Sequence, residues 1–185
     1  LVHLGYLAYD METEEVFIPN EEVRNEFVRA IREGRHLELA KAVRMSDKLL
    51  EATLCSDEAT VARILEDTHE AETTPINYNN EQSLRYVVIM AYLSAVDHYL
   101  RFEELASGKG YSDILFLPRN TSSKPALLIE LKWNKNADKA LSQITNKNYA
   151  HVLRKFNYTG EVLLIGINYN AKSKKHTCKI IKSIC

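Results

Sequence analysis

Residues 125 to 133 read Pro-Ala-Leu-Leu-Ile-Glu-Leu-Lys-Trp, and no other stretch constrains the fold as tightly. From Ala126 to Leu131 only Glu130 interrupts the apolar run, so the segment reads as a central strand buried on both sides. Strand alternation puts Leu128, Glu130 and Lys132 on one face and Ile129, Leu131 and Trp133 on the other. A carboxylate and an ammonium are costly to bury singly, and such groups are rarely fully buried unless paired or bound to a metal. Two readings stay open on these residues alone. Glu130 and Lys132 are either an ion pair or solvated pair at a strand end or edge, or they belong to a reactive site.

The rest of the pattern surrounds this strand. Val2 to Tyr9 and Val16 to Ile18 suit a short hairpin. Asn20 followed by Glu21 and Glu22 opens a helix that Gly34 ends. Leu37 to Leu50 and Asp57 to Glu72 read as two further amphipathic helices, the second opened by Ser56. Thr73-Thr74-Pro75 marks a break. Asn79-Asn80 then begins the longest helical pattern, with Leu84, Val87, Val88, Ala91, Tyr92 and Ala95 on one face. Tyr99 to Ala106 and Tyr111 to Leu117 flank Ser107-Gly108-Lys109-Gly110 as a hairpin. After the strand at 125–133 come a helix from Ala137 to Leu153 and strands at Val162 to Tyr169 and Thr177 to Ile181. The order beyond the break is helix, three strands, helix, two strands, which makes an α/β (mixed α+β) domain at 76–185 behind a mostly helical extension at 1–75.

Charge divides along nearly the same line. The chain of 185 residues carries a formal charge of -1, but residues 1–80 hold 8 basic and 17 acidic side chains while residues 81–185 hold 16 and 8. A basic half of this kind points toward a polyanion, and the near-neutral total is only an average. No apolar run reaches the about 20 residues of a membrane helix. Cys55, Cys178 and Cys185 show no C-x-x-C spacing, which suits reduced thiols and a cytoplasmic location. The chain begins at Leu1 with no initiator Met, as a piece excised from a longer protein would.

Asp113 lies among apolar residues one strand before Glu130. If the two strands pair antiparallel, both carboxylates converge at one end of the sheet. Two carboxylates and a backbone carbonyl form a hard-oxygen site suited to Mg²⁺ or Mn²⁺. A lysine beside them could orient or deprotonate a water, or offset charge on a phosphorane-like transition state. Other chemistries lack their motifs. No G-x-x-x-x-G-K-[ST] or G-x-S-x-G occurs, and His176-x-Cys178 with Cys185 lacks the second pair that a zinc site needs.

Asn80-Glu81-Gln82-Ser83-Leu84, Gly108-Lys109-Gly110-Tyr111-Ser112-Asp113-Ile114, Ile129-Glu130-Leu131-Lys132-Trp133 and Gly166-Ile167-Asn168-Tyr169 together resemble the PD-(D/E)xK nuclease superfamily. More narrowly, they are similar to the nuclease-like domain found at the C-terminus of bacterial AAA-ATPase-like proteins. The resemblance implies a restriction-endonuclease-like core, a central mixed sheet flanked by helices. It implies Asp113, Glu130 and the Leu131 carbonyl as ligands of Mg²⁺ or Mn²⁺, and Lys132 as catalytic base or charge stabiliser. Glu81 matches an extra acid near the metal, with helix-dipole complementation the competing account, and Gln143 matches a polar residue facing the site from the next helix. Relatives of the RecB type carry a Tyr four residues after that Gln. Here the position is Lys147, and Tyr149 falls on another face and reads as core.

The implied activity is metal-dependent hydrolysis of nucleic acid, most readily DNA, with Lys109, Lys135, Lys139 and Lys147 placed for its backbone. The implied partner is an ATPase module in the same longer chain, against which residues 1–75 would pack. The alternative is a catalytically silent nuclease-fold module that binds nucleic acid or regulates an ATPase. The lysines at 172, 174, 175, 179 and 182 read as a solvated strand face or a phosphate-contacting flank.

Overall fold

A computed structural model describes residues 7–11, 15–32, 37–72, 80–106, 111–119, 124–146 and 153–184. The chain divides by packing into two compact units, Leu1–Arg44 and Met45–Cys185. The change in sequence character, by contrast, falls near residues 74–79.

In the first unit, β1 (Ala8–Asp10) and β2 (Glu15–Phe17) form an antiparallel hairpin. It is followed by α1 (Glu21–Arg32), and the Asn20 side chain accepts the Val23 N–H at 2.9 Å as the helix cap.

The second unit contains most of α2 (Leu37–Leu54), α3 (Glu58–Glu72) and α4 (Glu81–Ala91), then β3 (Tyr99–Ala106), β4 (Tyr111–Pro118), β5 (Ala126–Trp133), α5 (Ala137–Asn146), β6 (Glu161–Asn170) and β7 (Lys175–Ile184). The five strands lie side by side in chain order. Only β5 and β6 run parallel, because α5 carries the chain back across the sheet between them, whereas the other neighbours are antiparallel. This is the mixed α/β core, a sheet flanked by helices, that the sequence leads one to expect.

Each face of the sheet has its own apolar layer. Leu127, Ile129 and Leu131 of β5 join Ile165 and Ile167 of β6 beneath Leu49, Ile64, Leu65, Leu84 and Val88 of the three helices on one face. Leu128 and Leu164 meet Leu141 and Ile144 of α5 on the other. Truncating any such fully buried leucine to alanine is worth about 2 to 5 kcal/mol. α5 lies unusually close to the sheet because Gly166 sits beneath it: a Cβ there would stand 2.5 Å from the Ala137 carbonyl oxygen and 3.0 Å from the Ala140 Cβ.

Two local expectations are corrected. The N-cap of α3 is Asp57, whose Oδ1 accepts the Thr60 N–H at 3.1 Å, and not Ser56, which takes a left-handed φ of 58°. α4 ends at Ala91 rather than running to Ala95, and Leu93–Asp97 winds as a 3-10 turn. The cause is tertiary: the Ser94 N–H is held by the Ser46 hydroxyl at 2.8 Å, and the Tyr92 hydroxyl lies 2.7 Å from that of Thr53. α5 is described over Ala137–Asn146, and residues 147–152 of the helix expected from Ala137 to Leu153 lie outside the described residues.

Candidate active site

The ladder between β4 and β5 pairs Phe116, Leu115 and Ile114 with Leu127, Leu128 and Ile129. Among the described residues this ladder ends at Ile114, although β5 continues alongside β6 as far as Trp133 opposite Tyr169. The backbone of Leu131 therefore faces side chains where a ladder partner would be. Its N–H donates to Asp113 Oδ2 at 2.7 Å, and its carbonyl accepts from Lys132 Nζ at 2.7 Å. Lys132 Nζ also donates to Glu130 Oε1 at 3.0 Å. The structure thus brings together Asp113, Glu130, Leu131 and Lys132, the group expected from strand alternation, at the notch where β4 and β5 part.

These groups are withdrawn from water. The Glu130 side chain is 2% exposed and that of Lys132 8%, which excludes the reading of two solvated residues on an edge. The ion-pair reading holds, yet it does not exhaust the arrangement, because Asp113 stands on the same face with its own hydrogen bonds. Lys132 Nζ thus has a carboxylate and a backbone carbonyl as its acceptors.

Sequence reasoning missed Arg85. Its Nη2 reaches Asp113 Oδ1 at 3.3 Å from α4, with side chains 19% and 12% exposed. The available signal was a charged side chain bordering the apolar stripe of Leu84 and Val88, one turn after Glu81. Glu81 is half-buried in the first turn of α4, which Asn80 caps by accepting the Ser83 N–H at 2.9 Å. Gln143 is half-buried on α5. Among the described residues no hydrogen bond or ion pair joins Glu81 or Gln143 to Asp113 or Glu130.

Lys135 and Lys139 are exposed at the start of α5. Two bonds fix that start: Asn168 Oδ1 accepts the Lys135 N–H at 2.9 Å, and Asn136 caps the helix through the Lys139 N–H at 2.7 Å. Lys109, Lys147 and Tyr149 lie outside the described residues. In the basic tail, Lys179 pairs with Glu58 at 3.0 Å and Lys182 with Glu161 at 3.9 Å, as on a solvated strand face.

A second cluster closes the sheet end on the α3 side. His69, Tyr169 and His176 meet with ring centroids 4.8 to 5.4 Å apart, and Trp133 stacks obliquely on Tyr169 at 4.8 Å. Burial, then the neighbouring His69, push the His176 imidazole down to about 3. Burial likewise raises the Cys178 thiol far above its ordinary value, so it stays protonated. Among the described residues no group of three or more His, Cys, Asp and Glu side chains is disposed to hold a metal, and Cys185 lies outside them. The oxygens gathered at the notch are those of two carboxylates and the Leu131 carbonyl. That donor chemistry fits a hard divalent ion: the Lys132 ammonium already bridges Leu131 O and Glu130 Oε1, so these oxygens accept a cation between them.

The mixed five-stranded sheet flanked by helices, with a parallel crossover between β5 and β6, is consistent with a restriction-endonuclease-like core. Residues 79–179, more than half of the chain, match the family model of the PD-(D/E)XK nuclease superfamily, and the chain belongs to that superfamily. Its members are generally hydrolytic nucleases that typically use divalent metals such as Mg²⁺. Comparison with curated proteins gives no match. Among the described residues no helix is long and apolar enough to cross a membrane.

Proposed function

We propose that the chain hydrolyses nucleic-acid phosphodiesters, DNA in the first instance, with Mg²⁺ or Mn²⁺ held by Asp113, Glu130 and the Leu131 carbonyl. The observation that carries this reading is the convergence of those groups with Lys132 at one sheet end. A bound divalent cation supplies Lewis-acid polarisation of the phosphoryl oxygens. The Lys132 ammonium, fixed by Leu131 O and Glu130, offsets charge that develops on the phosphate. Asp113 is pre-oriented by the Leu131 N–H, so little rearrangement is required of it. Glu81 adds an acid at the mouth of α4, and Gln143 faces the substrate from α5. Lys109, Lys135, Lys139 and Lys147 receive the backbone. The extension at 1–75, whose residues 45–72 also pack on the sheet, joins the nuclease-like domain at 76–185 to an ATPase module of a longer chain in the cytoplasm.

One observation favours a second reading, a nuclease-fold module that binds nucleic acid without cutting it: Arg85 and Lys132 already occupy oxygens of both carboxylates. Incubating single- and double-stranded DNA and RNA with the protein in Mg²⁺ or Mn²⁺ separates the two. Hydrolysis is expected, reduced by at least 100-fold in Asp113→Ala. Cleavage that survives this substitution would sink the assignment, and salt-dependent binding without cleavage in either metal would leave the second reading standing.

A further inference from the structure

Arg85 is a partner of the notch that the catalytic group as expected does not include, and the following rests on Asp113 being a cation ligand. Asp113 has two kinds of contact with different consequences. Its Oδ2 is held by the Leu131 N–H at 2.7 Å, a bond from the central strand that fixes the carboxylate's direction. Its Oδ1 receives a single contact from Arg85 at 3.3 Å, not the two parallel bonds of a guanidinium fork. Orientation thus comes from the backbone, and Arg85 contributes mainly charge. Formally, Arg85 and Lys132 cancel Asp113 and Glu130. A divalent cation arriving at Asp113 meets a guanidinium on the same carboxylate, and binding it adds two units of positive charge at the notch, which an anionic phosphate offsets.

We propose that Arg85 is a counter-cation that competes with the divalent ion for Asp113 and, once displaced, contacts the substrate phosphate. Metal and phosphate then favour each other reciprocally, since each binds better where the other has redirected the guanidinium. Arg85 is on this account a phosphate-binding residue whose availability depends on the metal.

The test is calorimetric titration of Mn²⁺ into the whole chain, alone and with thymidine 5′-monophosphate, which has no phosphodiester to cleave. Arg85→Gln should bind Mn²⁺ alone about 5-fold more tightly than the wild type, the factor appropriate to a partly exposed ion pair. The mononucleotide should tighten Mn²⁺ about 10-fold in the wild type and less than about 3-fold in the variant. Arg85→Met, which keeps the apolar stem, should behave the same way and serves if the glutamine variant unfolds. Neutral variants that bind Mn²⁺ as weakly as the wild type, or more weakly, overturn the inference while leaving the metal site intact. A wild type that binds no Mn²⁺ overturns both.

Discussion

Replacing Lys132 by Met removes the ammonium but keeps an unbranched chain of similar reach, and takes from the buried Glu130 carboxylate the ion pair it makes with Nζ. At 3.0 Å and an effective dielectric near 20, the pair attracts by about 5 kcal/mol. Desolvation offsets much of that in the intact protein, but breaking one side of a buried pair strands the other charge and costs about 3 to 5 kcal/mol. The lost hydrogen bond to the Leu131 carbonyl lies within that figure. For a unit of this size the melting temperature should fall by about 10 °C. Urea unfolding of Lys132→Met, Glu130→Met and the double variant forms a cycle. The double variant should recover most of the loss, because an apolar pair of similar volume leaves no orphan charge, giving a coupling energy of about 3 kcal/mol. A single variant that costs under about 1 kcal/mol, or a double variant that adds the two losses, would refute the claim that this pair is buried and mutually dependent.

Two further outcomes follow from other parts of the sheet end. Gly166→Ala drives a Cβ to 2.5 Å from the Ala137 carbonyl, and backbone cannot yield as a side-chain tip can, so α5 must lift. A loss of about 1 to 3 kcal/mol in urea unfolding is expected, and an unchanged midpoint would contradict the packing. Acid should also weaken the fold through His176. Its folded-state value is pushed down to about 3, against about 6.5 in an unfolded chain. Between those values the unfolded chain takes up a proton that the folded chain refuses, so this stability is present above about pH 6.5 and lost as pH falls. Between pH 7 and pH 5 the loss is about 2 kcal/mol. His176→Phe keeps an aromatic ring and should flatten that slope, and an equal slope in both proteins would refute the assignment.

The candidate site was legible because its geometry is a matter of strand period. The antiparallel register that places Ile114 against Ile129 brings Asp113 and Glu130 to the same end of the sheet, and alternation puts Lys132 on the same face as Glu130. The order of elements was legible for a related reason: apolar period switches from helical to alternating at each break. What remained hidden depends on partners distant in sequence. Arg85 meets Asp113 across 28 residues and from a helix on the other face. The early end of α4 is set by Ser46 and Thr53, 48 and 39 residues from their partners. The His69, Tyr169 and His176 cluster joins α3 to β6 and β7, and no local pattern marks an imidazole for burial beside another.

The account stands on Asp113 and Glu130 acting as one cation site, and Mn²⁺ titration of the wild type beside Asp113→Asn and Glu130→Gln tests this most directly. Both substitutions keep side-chain volume and remove a charge. The expected result is measurable Mn²⁺ binding by the wild type that both variants lose or weaken by at least 10-fold. Binding of equal strength in all three proteins, or no binding in the wild type, would contradict it.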